Sequence, residues 1–373
     1  MTNQIKNAAR RLGFALVGVA SVDPPQHWAF YQKWLNLGYA GEMGYLGRNL
    51  DRRADVREIV PDAKSILCVG LNYLPESDVS NDQASTSGQI ARYARGDDYH
   101  DTMKERLFEL LAEIQCIEPS AQGRVYVDTG PVLERDFAQR AGVGWFGKHT
   151  CLIDKGRGSW FFLGEIILNL DLEVDKPQLD HCGTCTKCLD ACPTDAIPEA
   201  YVVDSRRCIS YLTIELKGAI PRDVRSDIGD WVFGCDICQE VCPWNIKHAQ
   251  PSSEDAFQAR EGLGAPKLVD LLRLDQASFS AKFKGSPIKR SKRRGLLRNA
   301  AVALGNVGGE AEVPVLADAL QDVEPLIRQH AAWALGSIGG EKAHQVLEAA
   351  LVYEKDIEVI EEIGLAIKEI DSK

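Results

Sequence analysis

The 373-residue sequence predicts an α/β amino-terminal domain, a small cysteine-rich module and a carboxy-terminal all-α repeat domain. Three observations predict this order. Helical and strand patterns alternate over residues 1–175, seven of the eleven cysteines fall into two tight runs between Cys182 and Cys242, and a helical motif recurs thirty-one residues apart near the carboxy terminus. The resulting segments are 1–175, 176–250, a helical connection with a basic run over 251–295, and 296–373.

In the first segment, residues 5–12 and 27–37 read as helices, and 15–20, 65–73, 125–127 and 160–170 as strands. Residues 98–115 form a longer helix, because Met103, Leu107, Leu110, Leu111 and Ile114 keep the helical period. Such alternation gives layers around one core and, by default, a cofactor-sized cleft. NAD is not expected: Gly142-x-Gly144-x-x-Gly147 neither follows a strand nor opens a helix. The net charge of -11 argues against wholesale nucleic-acid binding. Arg10-Arg11 and the apolar letters after it resemble a twin-arginine export signal. The stretch is short and cut by Asp23-Pro24-Pro25, so a helix and first strand account for it. No run approaches the roughly 20 apolar residues of a membrane span. A cytoplasmic, reducing location and a monomer are expected, with Cys68, Cys116 and Cys151 as small apolar side chains or chance surface thiols.

The cysteine runs are Cys182-x2-Cys185-x2-Cys188-x3-Cys192-Pro193 and Cys235-x2-Cys238-x3-Cys242-Pro243, with Cys208 between them. Eight thiolates are the ligand set of two four-iron clusters, and the first run has the bacterial ferredoxin spacing in which the fourth cysteine serves the other cluster. Crossed ligation assigns Cys182, Cys185, Cys188 and Cys242 to one cluster and Cys192, Cys208, Cys235 and Cys238 to the second. The module is therefore ferredoxin-like, too small to stand without its metal. Zinc sites also use Cys-x2-Cys pairs, but close with four thiolates or histidines; a third cysteine two residues on, then Cys-Pro, suits iron-sulfur ligation. Disulfides are disfavoured where nothing suggests secretion.

Asn299-Ala300-Ala301-Val302-Ala303-Leu304-Gly305 recurs as His330-Ala331-Ala332-Trp333-Ala334-Leu335-Gly336. Small residues let paired helices approach and glycines end them. The pattern resembles HEAT-type repeats of the short PBS-lyase kind, which build solenoids that bind macromolecules. Ahead of it, Lys282, Lys284, Lys289, Arg290, Lys292, Arg293, Arg294 and Arg298 follow one another without an acid. Such a run in an acidic chain invites a phosphate backbone, although a helix face paired with distant acids would look the same. The expected nucleic-acid contacts are Lys289, Arg290, Lys292, Arg293, Arg294 and Arg298.

Two clusters make an electron carrier, and the remaining mass implies a terminal reaction. The densest polar stretch of the first segment is Val127-Asp128-Thr129-Gly130-Pro131-Val132-Leu133-Glu134-Arg135. Asp128 follows a strand and precedes a helix. It reads equally as a proton donor aimed into a cleft or as a helix N-cap. Glu134 and Arg135 read as ion-pairing residues.

That stretch, Ala141-Gly142-Val143-Gly144-Trp145-Phe146-Gly147-Lys148, the cysteine runs, Arg207-Cys208-Ile209-Ser210-Tyr211-Leu212-Thr213 and the repeat together resemble the epoxyqueuosine reductase family, over nearly the whole chain. The resemblance implies a cobalamin-dependent enzyme, related to reductive dehalogenases, that removes the epoxide oxygen of epoxyqueuosine at the tRNA wobble position. Electrons from an unidentified low-potential donor pass through two 4Fe-4S clusters to the cobalt, and an aspartate matched by Asp128 gives a proton. Arg53, Ala91, Arg92, Asp128 and Ser210 match positions that approach the cofactor, and the repeat helps hold the tRNA. His100 is not expected to ligate cobalt, because Met103 stands where the histidine-on pattern has glycine. A cobalamin or flavin reductase of a small molecule is the alternative; it would need no phosphate-binding surface.

Overall fold

The structure, a computed structural model, describes residues 1–76 and 86–372, which divide into two compact units. Of the described residues, the first unit comprises 1–76, 98–204 and 237–258, and the second 86–97, 205–236 and 259–372.

Unit 1 is built on a four-stranded sheet in the order Leu16–Ser21, Ser65–Asn72, Phe161–Leu168, Gly123–Tyr126, with every neighbouring pair antiparallel. The expected α/β segment is thus a mixed fold around an antiparallel sheet. The two central strands are buried on both faces, which is why they read as near-continuous apolar runs without alternation. Each fully buried aliphatic side chain there, such as Ile66, Leu67 or Ile166, contributes about 1.5–3 kcal/mol. The helix Tyr99–Ile117 covers one face: Gly164 leaves room for Leu107 and Met103, either of which a Cβ would meet at 2.8 Å. The helix Glu134–Arg140 covers the other, and its end at Ala141 presses so close to Gly18 that a Cβ would lie 1.9 Å from the Ala141 carbonyl oxygen. Both helices begin at the same end of the sheet as the loop that follows Gly123–Tyr126, which sets the stage for the polar residues described below.

Unit 2 contains the repeat. Helices Lys292–Val307, Pro325–Ile338 and Ile357–Asp371 stack in sequence, with Val313–Ala319 and Glu341–Tyr353 packed beside them. The repeated glycines divide the labour differently from expectation. Gly339, at φ 73, ends its helix, whereas Gly305 and Gly336 lie inside theirs. A Cβ at Gly305 would stand 2.8 Å from Ala334 Cα, and one at Gly336 would stand 2.8 Å from Ala366 Cα. The thirty-one-residue period therefore records one close helix approach made twice.

Gly336→Ala is expected to lower unfolding free energy by about 1–3 kcal/mol through this overpacking. Gly364→Ala, in the next helix with nothing within 4 Å of its Cβ position, is expected to raise it by about 0.5–1 kcal/mol. Urea midpoints of the two variants check the opposite signs.

Candidate functional site

Cys182, Cys185, Cys188 and Cys242, all in unit 1, line one cavity of about 240 Å³. Local structure holds them there. Asp180 accepts the Cys182 amide at 2.6 Å, Lys148 Nζ donates to the Gly183 and Cys185 carbonyls at 2.7 and 2.9 Å, and Cys242 is the residue from which the helix Pro243–His248 starts. Burial, with the neighbouring thiols adding to it, pushes Cys188 up to about 11 and raises Cys182 and Cys242. Such a nest favours neutral thiols unless a metal group supplies positive charge. Among the described residues no three His, Cys, Asp or Glu side chains converge as a single ion requires. All four cysteines line the same cavity, an arrangement that suits a cubane. Of the other four cysteines, Cys192 and Cys238 belong to unit 1, where the Ala196 amide donates to Cys192 Sγ at 3.3 Å. Cys208 and Cys235 belong to unit 2. There Cys208 starts the helix Ile209–Ile214, and the amide of Gly234, next to Cys235, donates to Thr213 Oγ1 of that helix at 2.9 Å.

Asp128 sits two residues past the strand Gly123–Tyr126 with φ 42, a left-handed conformation that Asp tolerates better than most residues. It does not cap a helix: the Glu134–Arg140 helix starts from Leu133 without a side-chain cap. Its carboxylate accepts instead from two residues that sequence reasoning gave no role. Tyr99 Oη donates to Asp128 Oδ2, and His100 Nε2 meets Asp128 Oδ1 at 2.8 Å. Both belong to the first turn of the helix Tyr99–Ile117, whose N-cap Asp98 accepts the His100 amide and meets His100 Nδ1 at 2.7 Å. The Tyr99 ring stacks on Phe162 at 4.1 Å, which fixes the hydroxyl. Burial works against charge on His100, but hydrogen bonds and charge attraction from Asp128 and Asp98 overcome it and raise its pKa to about 9. The imidazole is therefore an imidazolium at neutral pH, donating to both carboxylates. The Asp128 side chain remains 47% exposed.

Behind this group lie two further acids. Glu165, fully buried on the central strand Phe161–Leu168, faces Glu134, whose Oε1 is also enclosed, and none of those three oxygens meets a donor. Burial raises both pKa values, with the Asp128 charge adding to it at Glu134 and the Glu134 charge adding to it at Glu165, so the pair keeps a proton. The ion pair expected for Glu134 is thus replaced by an acid pair. Arg135 turns away to donate to the Thr150 carbonyl at 2.6 Å.

Residues 53–129 match the family described as epoxyqueuosine reductase QueG, DUF1730, residues 181–245 a 4Fe-4S double cluster binding domain, and residues 288–368 HEAT repeats. The epoxyqueuosine reductase of Xanthomonas campestris is 45% identical over 331 residues, spanning 88% of this chain and 93% of the relative. That of Escherichia coli is 40% identical over 332 residues, spanning 88% and 87%. The chain belongs to the epoxyqueuosine reductase family. It is accordingly an oxidoreductase, and its cysteine count and repeat agree with the double-cluster and HEAT matches. A crystal structure of an epoxyqueuosine reductase with an epoxyqueuosine-modified tRNA-Tyr stem loop matches with TM-score 0.93 at 32% identity, covering 99% of this chain and 98% of that one. A Bacillus subtilis epoxyqueuosine reductase with its catalytic aspartate loop swung out of the active site matches with TM-score 0.91 at 30% identity, over 99% and 98%.

The remaining site residues assigned to this epoxyqueuosine reductase by sequence divide between the units. In unit 1, Arg53 is buried, with Nε on the Arg48 carbonyl at 3.3 Å. In unit 2, Ala91 is buried against Gly234, where a Cβ would come within 2.5 Å of Ala91 Cβ. Arg92 donates to Asp236 through its amide and Nη1, at 2.8 and 3.2 Å, and Ser210 lies in the first turn after Cys208.

The basic run needs correction. Arg298 is fully buried and donates to the Leu212, Leu216 and Gly218 carbonyls, so it cannot reach a phosphate. Arg290 is paired with Glu215, and Arg293 with Asp322 and the Leu274 carbonyl. These acids lie 75 and 29 residues away in sequence, out of reach of any local pattern. Lys289 and Lys292 are exposed and Arg294 is half-buried. Among the described residues no helix is long and apolar enough to cross a membrane.

The raised His100 pKa is a stability statement with a definite sign. The ordinary value of about 6.5 rises to about 9 in the fold, so the stabilisation from the charged imidazole is complete below about pH 6.5 and is lost as pH climbs through about 9. NMR titration of the His100 ring is expected to give a midpoint near 9, falling in Asp128→Asn; a midpoint near 6.5 in both proteins contradicts the pairing.

Proposed function

We propose that this epoxyqueuosine reductase converts epoxyqueuosine to queuosine at the wobble position of tRNA in the cytoplasm, with segments 1–175, 176–250 and 296–373 as its cofactor, electron-entry and RNA-holding parts. The observation that carries the reading is the Asp98–His100–Asp128–Tyr99 chain of hydrogen bonds, ending in a half-exposed carboxylate. Removing the epoxide oxygen as water takes two electrons and two protons. His100, charged at neutral pH, gives a proton to Asp128 through Nε2, Asp128 passes it to the leaving oxygen, and Asp98 stabilises the imidazolium beforehand. Tyr99 fixes the second carboxylate oxygen. Cys182, Cys185, Cys188 and Cys242 would hold one 4Fe-4S cluster and Cys192, Cys208, Cys235 and Cys238 the other, and these clusters would supply the electrons. Cobalamin, contacted by Arg53, Ala91, Arg92 and Ser210, would supply low-potential electron pairs to the substrate carbon.

The chemistry of the donors fits these groups. Four cysteines lining one cavity suit a cubane, and Arg53, enclosed and held by backbone carbonyls, is a fixed cation suited to the phosphate or amide oxygens that cobalamin would present. The tRNA assignment draws support from the related enzyme bound to a modified tRNA stem loop. On this chain the solvent-facing cations suited to phosphate contact are Lys289, Lys292 and Arg294, with Arg290, Arg293 and Arg298 engaged in the fold. They would position the RNA without reading its sequence.

Asp128→Asn is expected to retain iron and bound cobalamin yet leave epoxyqueuosine unreduced in nucleoside analysis of tRNA; queuosine at the wild-type level removes the proton-donor role. Lys289→Ala, Lys292→Ala and Arg294→Ala together are expected to weaken tRNA binding and flatten its dependence on salt by about three counterions. Titration of tRNA at several salt concentrations measures that slope, and an unaltered slope excludes these residues from the interface.

A further inference from the structure

The cavity ringed by Cys182, Cys185, Cys188 and Cys242 has a rim of one sign. Apart from the thiols, its titratable lining consists of Lys148, His149, His181, Lys187, Lys247 and His248, and no carboxylate contributes. This is unexpected on a chain with 54 acidic and 43 basic residues. The nearest acids in sequence are occupied: Asp180 accepts from Cys182 and Tyr201, and Asp190 from Thr186. Two of the basic side chains serve the interior. Lys148 pins the cysteine loop, and burial holds His149 neutral, lowering its pKa to about 4. The other four, His181, Lys187, Lys247 and His248, are exposed.

Behind this rim lies an aromatic cluster, of which Trp244 reaches the cavity lining. Trp145 and Cys242 pack together with Trp244 against them; the Trp145 and Trp244 rings meet edge-on at 5.1 Å, and Trp244 stacks on His248 at 5.2 Å. Beside the cavity and outside its lining, Ile246 stands 67% exposed on the short helix that begins at Cys242. Exposed apolar atoms surrounded by like-charged side chains form the core and rim of a protein interface. The solvent-facing ammonium groups are too well screened to serve mainly as counter-charges for a buried metal group.

We propose that this face is the docking site of an acidic, low-potential one-electron carrier protein of the flavodoxin or [2Fe-2S] ferredoxin class. The proposal rests on the reductase reading above, which consumes two electrons per epoxide and finds no source for them among the chain's own groups. In each encounter the carrier is oxidised by one electron and the cluster held by these four cysteines is reduced by one. Two encounters balance one turnover. Negative charge on the carrier is steered to the lysines, and its contact area closes over Ile246 and Trp244.

The test uses the full-length enzyme with both clusters reconstituted and a reduced flavodoxin as probe. Its affinity is measured by calorimetry at low and high salt for the wild type, for Lys187→Gln combined with Lys247→Glu, and for Ile246→Asp. The expected result is salt-sensitive binding by the wild type that weakens about tenfold or more in each variant. Iron content, cluster EPR signals, tRNA affinity and turnover driven by dithionite, which needs no docking, should remain at wild-type values. Carrier affinity unchanged in both variants overturns the proposal. So does a loss of tRNA affinity instead, which would give the face to RNA, or a shifted cluster potential with carrier binding intact, which would reduce the lysines to counter-charges. Absence of dithionite-driven epoxyqueuosine reduction by the wild type would strike the reductase reading and not the docking face.

Discussion

The burial of one guanidinium organises unit 2. Arg298, inside the first repeat helix, donates to the carbonyls of Leu212, Leu216 and Gly218 at 2.6, 2.9 and 2.6 Å, and its neighbour Asn299 donates to Thr213 and Val232 at 2.7 and 2.8 Å. The carbonyls at the end of a helix have no partners within it, and a cation there satisfies them and opposes the helix dipole. The helix so anchored is the one that Cys208 starts, and Val232 lies on the strand leading to Gly234 and Cys235. Both cysteines of this unit are therefore positioned by the repeat. The next repeat helix continues the theme: buried His330, held neutral by burial and the nearby arginines, accepts the Ile220 amide at 3.1 Å. Removing Arg298 would deprive the buried Leu212 carbonyl of its side-chain donor, at a cost of about 1–3 kcal/mol.

This use of Arg298 also explains where sequence reading stopped. Strands and helices were legible because burial imposes period on letters, as Met103, Leu107, Leu110 and Ile114 illustrate on one face of their helix. Cysteine spacing was legible because a cubane constrains short loops. A charged residue carries no such mark: Arg298 inside and Lys292 outside look alike in a run of cations, and only contacts made across 80 residues distinguish them. His100 was weighed solely as a metal ligand, and its engagement with Asp128 depends on a strand end meeting a helix start 28 residues away. The one local signal available was Asp98-Tyr99-His100, an N-cap followed by two proton-bearing side chains.

The Asp128 loop combines tight local geometry with contacts that hold it. A Cβ on Gly130 would fall 2.1 Å from the Tyr126 ring, and Asp128 itself is left-handed. Backbone strain of this sort persists where surrounding contacts over-determine it. Here those contacts are the Tyr99 and His100 bonds, backed by the Glu134 and Glu165 acid pair, so the same interactions that ready the carboxylate hold the loop. A related enzyme with its catalytic aspartate loop swung out shows the alternative position in that protein.

The interleaving of the two units bears on how the chain is made. Unit 1 closes only with residues 237–258. These supply Asn245, which accepts the Ser159 amide at 2.6 Å, Ser252, whose amide reaches the Leu74 carbonyl at 2.7 Å, and Glu254, which pairs with Arg106. On a ribosome reading from the amino terminus, the sheet waits with an unfinished wall until 258 of 373 residues have been added. Cys182, Cys185 and Cys188 likewise emerge some 54 to 60 residues before Cys242 completes their set. On the proposed ligand set metal loading waits for a late stage of translation, and a nascent chain stalled between the two cysteine runs would carry the four thiols of the first run with no completed set to hold a cluster.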